Sequence, residues 1–148
     1  MCIRDSSYAS HLNTTGTDNA ALGYVALYAN TTGTDNTAVG SGALDANTTA
    51  SNNTAVGHDC LGANTTGGQN TAVGREAGQG NTTGYNNTFV GEKAGESNTT
   101  GVNNTVVGRL AFNSNTVGVQ CVAIGVEALE KNTANNNTAA GYLSLIHI

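Results

Sequence analysis

The sequence predicts an all-β fold, a parallel β-solenoid of 17-residue coils, and three observations carry that expectation. The first is a repeat. An Asn-Thr pair opens a new copy at Asn13, Asn30, Asn47, Asn64, Asn81, Asn98, Asn115 and Asn132, each 17 residues after the last. A fixed period of this size belongs to a chain that stacks each turn on an image of itself. The second is what stays constant within a copy. Counting from its Asn, position ten is aliphatic (Leu22, Val39, Val56, Val73, Val90, Val107, Ile124) and position eleven is always glycine, from Gly23 to Gly125. The third is the placement of charge. Between residues 7 and 142 every Asp, Glu, Lys and Arg falls at position six, twelve, thirteen, sixteen or seventeen, where a coil turns its corners.

Positions one to seven, Asn-Thr-Thr-Gly-Thr-Asp-Asn in the first two copies, read as a corner, because Asn and Gly accept the left-handed backbone that a tight turn demands. Copy eight is one residue short in this turn, a loss that a turn tolerates better than a strand does. Positions eight to ten, Thr-Ala-Val, have strand character. Thr and Val share one face, and the reading places them inward, since copy seven substitutes Val122 for Thr and keeps Ile124. On that reading Val73→Asp breaks the stacking and the same change at Glu76 is near neutral. The Ala face, with Ala38, Ala55 and Ala72, is left outside for contact between chains. Glycine eleven leads to a variable corner at positions twelve and thirteen. A second short strand is expected at positions fourteen and fifteen, as in Ala26-Leu27, Ala43-Leu44 and Ala128-Leu129. One coil buries too few side chains to offset its ordering entropy, so stacking must supply the rest, and a further interface between chains is expected.

Neither end shares the repeat. The opening MCIRDS and the closing LSLIHI resemble a transposon-derived sequencing adapter translated on its two strands. The expected division is therefore 1–6 adapter-derived, 7–142 repetitive β-solenoid of about eight coils, and 143–148 adapter-derived.

Charge and chemistry exclude several classes. A net charge of −5 with no basic run argues against nucleic acid as a partner. With Cys2 in the adapter-like end, Cys60 and Cys121 remain, and coils stacked at about 4.8 Å hold them too far apart for a disulfide. His58-Asp59-Cys60 is the one cluster of reactive residue types, but Cys60 stands in a slot held elsewhere by Ala. Cys121 stands in an Asn slot, and His11 precedes the first copy. No zinc spacing is present, and Asp18 and Asp35 lack the glycine-rich nonapeptide pattern of calcium-binding coils. The expectation is no catalytic residue, no metal, no cofactor, and no membrane contact by this stretch.

The repeated NTAVGxxAL, and QCVAIG at Gln120 to Gly125, resemble the NSVAIG-type head repeats of YadA-like trimeric autotransporter adhesins. Similar repeats occur in phage tail-fibre proteins. The resemblance spans 7–142, although the period is longer than the family's usual one and no stalk, neck or anchor is present. It implies a left-handed β-roll and a homotrimer displayed on a bacterial outer membrane or a virion tail. It also implies attachment to a host-cell or matrix protein or a surface glycan. The residues expected to make that contact are the variable corner residues Tyr24, His58, Asp59, Arg75, Glu76, Glu92, Lys93 and Arg109. An ice-binding solenoid is the competing function, with Thr14, Thr31, Thr48 and their successors as the ordered array.

Overall fold

The computed structural model describes residues 3–4, 6–131 and 133–145. Among them it forms one parallel sheet whose strands follow chain order: β1 (Ile3–Arg4), β2 (Ala20–Leu22), β3 (Thr37–Val39), β4 (Thr54–Val56), β5 (Thr71–Val73), β6 (Thr88–Val90), β7 (Thr105–Val107), β8 (Val122–Ile124) and β9 (Thr138–Ala140). Like pairs with like, for example Thr37 with Thr54, Ala38 with Ala55 and Val39 with Val56. In the shortened copy Val122 still pairs with Thr138, so the lost residue is absorbed before the strand and register survives. The chain is a β-solenoid of 17-residue coils, as the period predicts.

The facing of the strand is the reverse of the expectation. Ala38, Ala55 and Ala72 are fully buried, whereas Val56 and Val73 are 37% and 39% exposed. The Ala face lines the interior and cannot be the contact between chains; the Thr/Val face points out. The physical reason is volume. Across the thin coil, position fifteen supplies the bulk with Leu27, Leu44, Leu61 and Leu129, all buried, and leaves room opposite for little more than Ala.

Positions fourteen and fifteen are not a second strand. Leu27, Leu44 and Leu129 have φ near +52° (53°, 52° and 52°), a left-handed turn conformation that no strand contains. The ladder between coils continues through them regardless, with Leu27 N–H donating to the Ala43 carbonyl at 2.9 Å and Leu61 N–H to Ala77 at 3.0 Å. Glycine eleven is required by both conformation and space. Gly57 has φ +145°, and a Cβ on it would sit 2.3 Å from the Gly74 carbonyl oxygen.

Two buried asparagine ladders satisfy the corner backbone. At position one, Asn47 Nδ2 donates to Asn30 Oδ1 at 2.9 Å and to its own corner's Ala50 carbonyl at 3.1 Å. At position seven, Asn53 Nδ2 donates to the Gly67 carbonyl at 3.0 Å while Asn53 Oδ1 accepts the Asn70 amide at 2.9 Å. Among the described residues the first ladder is interrupted between Asn98, whose buried Oδ1 has no partner, and Asn115, which turns its own Oδ1 onto the amides of Val117 and Gly118.

Coil geometry is present ahead of Asn13, where Ala9 and Ser10 are buried at positions fourteen and fifteen of a preceding coil, and Ile3 and Arg4 pair with Ala20 and Ala21. Leu143 and Leu145 repeat the left-handed corner at φ 54° and 55°, and Ser144 accepts the Leu129 amide at 2.9 Å. Residues 1, 2, 5 and 146–148 of the expected adapter-derived ends lie outside the described residues.

Candidate functional site

Positions twelve and thirteen form an edge along the solenoid because each follows the glycine that turns the chain out of the sheet. Position thirteen is left-handed in every described coil, from Tyr8 (φ 62°) through Asp59 (50°), Glu76 (58°) and Lys93 (56°) to Leu143 (54°). Position twelve carries the more exposed side chains.

Four of the eight expected contact residues, Arg75, Glu76, Glu92 and Lys93, are joined in one ion-pair network. The Arg75 guanidinium pairs with Glu76 and with Glu92 of the next coil, and Lys93 Nζ lies 2.8 Å from Glu76 and 2.8 Å from Glu96. Glu96 also accepts from Asn113 Nδ2 at 2.7 Å. The Lys93 hydrogen bond, with Arg75 beside it, holds the Glu76 carboxyl below its ordinary range. Arg109 pairs with Glu127 at 3.0 Å. The Arg75–Glu92, Glu76–Lys93 and Arg109–Glu127 pairs are inter-coil clamps on a solvated edge, each of small worth alone and of more as a network. Tyr24 and His58 remain open, and His58 Nδ1 lies 3.3 Å from Asp59.

His58-Asp59-Cys60 is not assembled for nucleophilic chemistry. Cys60 is fully buried among the small residues of position fourteen, and burial pushes its thiol up to about 12, far from the thiolate a nucleophile needs. Cys121 is buried as well and stands in for the position-seven Asn. Its amide donates to Asn104 Oδ1 at 2.9 Å and its Sγ reaches the Ala134 carbonyl at 3.4 Å. Both cysteines are free.

Position six explains itself by backbone. Asp18 (φ 55°), Asp35 (57°), Asn52 (63°) and Gln69 (61°) are all left-handed, a conformation that Asp and Asn tolerate without any metal. Among the described residues no group of three His, Cys, Asp or Glu could hold a metal ion, and no helix is long and apolar enough to cross a membrane. An open groove of about 710 Å³ is lined mainly by positions sixteen and seventeen, including Asp45, Gly62, Ala63, Gly80 and Glu96, together with Asp59. Burial raises the Asp45 carboxyl above its ordinary range, and Asp59 adds to the rise.

Sequence reasoning missed an aromatic cluster at the first corners. Tyr8 and Tyr24 meet edge to face with centroids 6.3 Å apart, and His11 stacks on Tyr28 at 5.6 Å with planes 10° apart. Tyr8, Tyr24, Val25 and Tyr28 line a cleft of about 370 Å³. The signal was phase: Tyr8 and His11 precede Val25 and Tyr28 by one period, so the segment before Asn13 is a coil with corners of its own.

No family model, curated protein or solved structure matches the chain.

Proposed function

We propose that the chain is a segment of a non-catalytic extracellular attachment fibre, an adhesin head or tail-fibre shaft, that assembles as a homotrimer through its outer sheet face. The observation that carries this reading is the unpartnered aliphatic file at position ten. Leu22, Val56, Val73, Val107 and Ile124 are 47%, 37%, 39%, 37% and 45% exposed in one straight row. A contiguous apolar stripe on a flat sheet is a contact surface. The number three, and display on a bacterial surface or virion tail, rest on the resemblance to trimeric autotransporter heads. Assembly through this face leaves the corners at positions twelve and thirteen outward, available to a host-cell or matrix protein or a surface glycan. The burial of Cys60 supports a function without catalysis.

One observation favours ice binding as a second reading. Thr37, Thr54, Thr71, Thr88 and Thr105 stand in register on the same outer face. The array expected from sequence is less suited, because the hydroxyls of Thr14, Thr31 and Thr48 donate to carbonyls of the next coil at 2.8, 3.0 and 3.1 Å. The two readings compete for one surface, since a trimer hides what ice would need. The test compares cell and matrix binding of the fibre before and after Tyr24, His58, Asp59, Arg75, Glu76, Glu92, Lys93 and Arg109 become Ser, with thermal hysteresis measured alongside. Loss of binding supports attachment through the corners; unchanged binding removes them as the contact, and strong hysteresis favours ice.

A further inference from the structure

We propose that the cleft lined by Tyr8, Tyr24, Val25 and Tyr28 binds a single neutral pyranose ring. This deepens the attachment reading by naming the chemistry of the partner, and it does not depend on the trimer. The fold does not require tyrosine there. In the next coil the matching positions twelve, thirteen and sixteen are Ser41, Gly42 and Asp45, and the backbone is the same. Three tyrosines gathered at one corner therefore need a reason outside the coil.

The cleft has the size and stiffness of a binding site. Its volume of about 370 Å³ falls within the range of small-ligand pockets. Tyr8 and Tyr24 stand at 84° to each other, which makes two perpendicular walls, and both remain more than half exposed at 56% and 57%. His11 braces the arrangement, stacked on Tyr28 and edge-on to Tyr8 at 5.6 Å and 76°. Rings held by rings lose little freedom when a ligand arrives.

The chemistry of the walls selects the ligand. A pyranose presents a face of C–H bonds and a rim of hydroxyls. A tyrosine presents an electron-rich face to the first and a phenol that both donates and accepts to the second. The four lining residues carry no Lys or Arg to hold a sulfate or phosphate, and no carboxylate to neutralise an ammonium group. A cation would feel the ring faces alone.

Saturation-transfer NMR on the full chain tests this with methyl β-D-galactopyranoside, methyl β-D-glucopyranoside and methyl α-D-mannopyranoside as probes, and choline as the cationic comparison. The expected result is transfer to the ring C–H protons of at least one pyranoside, weakened about tenfold by Tyr24→Ser and by Tyr28→Ser and unchanged by Tyr85→Ser. Circular dichroism of each variant confirms that the solenoid persists. No transfer to any of the three pyranosides overturns the proposal, as does transfer that survives both substitutions, or transfer to choline alone. Fibre that still binds cells while no pyranoside binds would sink this site and leave the attachment reading standing.

Discussion

The ring of Phe89 occupies the space that a side chain at Gly95 would need: a Cβ on that glycine would lie 2.3 Å from Phe89 Cδ1. Gly78, one coil earlier, stands in the same relation, 2.7 Å from Cδ2. Phe89 sits at position nine, where most other coils have Ala, and both glycines sit at position fifteen, where most have Leu; the sixth coil carries Val106 and Phe112 instead. Around Phe89 the core volume is supplied from one wall of the coil instead of the other.

Phe89→Ala is therefore expected to cost about 3–5 kcal/mol, the range for emptying a buried phenylalanine site. Gly95→Leu alone is expected to destabilise by overpacking, by about 1–3 kcal/mol. Together the two changes give this coil the Ala and Leu of the first three coils, where Leu27, Leu44 and Leu61 hold a left-handed backbone at 53°, 52° and 51°. Urea unfolding of the single and double variants checks the coupling; simple additivity would contradict it.

The reversed strand gives a second expectation. Ala72→Asp places a charge without a partner in the interior and is expected to unfold the local coils, whereas Val73→Asp leaves the secondary structure of the chain intact. Circular dichroism and amide exchange across β4 to β6 distinguish them. The opposite order would restore the facing first read from sequence.

That misreading shows where the sequence speaks and where it is silent. Period, strand position, register and corners all follow from spacing, because each copy must hydrogen-bond to its image. Facing does not, since Thr-Ala-Val alternates equally well either way and hydrophobicity favours burying Val. The deciding signal lay between distant positions: the copy with Phe at nine has Gly at fifteen, so nine and fifteen share a space. The buried Asn ladders were legible as repeats, but their depth was not, because burial of Asn depends on side-chain partners in its own corner and in adjacent coils that spacing does not encode. Tyr24, His58, Arg75, Glu92 and Arg109 stand exposed at the corners, whereas Asp59, Glu76 and Lys93 are half-buried, and the ion pairs among these residues depend on side-chain reach that spacing alone does not encode.

Cys121→Asn is expected to stabilise the chain by about 1 kcal/mol. Asn104 Oδ1 already accepts the amide at this position, and an Asn side chain can donate to the Ala134 carbonyl that Cys121 Sγ now reaches at 3.4 Å. Thermal unfolding should shift upward by a few degrees; a downward shift would mean that the shortened eighth copy cannot accept the ladder.

Cys60 predicts an alkaline weakness. Its folded pKa, raised to about 12 by burial, exceeds the ordinary value of 9.0, so above that value the unfolded thiol ionises while the folded one stays neutral. The unfolded state then binds fewer protons, and stability falls as pH rises from about 9 towards 12, by up to about 1.4 kcal/mol per unit. Below 9 the thiol adds no pH dependence. Denaturation at pH 8 and pH 10.5 should show this loss in the natural chain and not in Cys60→Ala.

The outward aliphatic file is the centre of the account, and sedimentation equilibrium at micromolar concentration tests it most directly. The 14.9 kDa chain is expected to run at three times its mass, and Val73→Asp with Val90→Asp is expected to run as a monomer with an unchanged circular dichroism spectrum. A natural chain that stays monomeric, or a trimer indifferent to both aspartates, would contradict it.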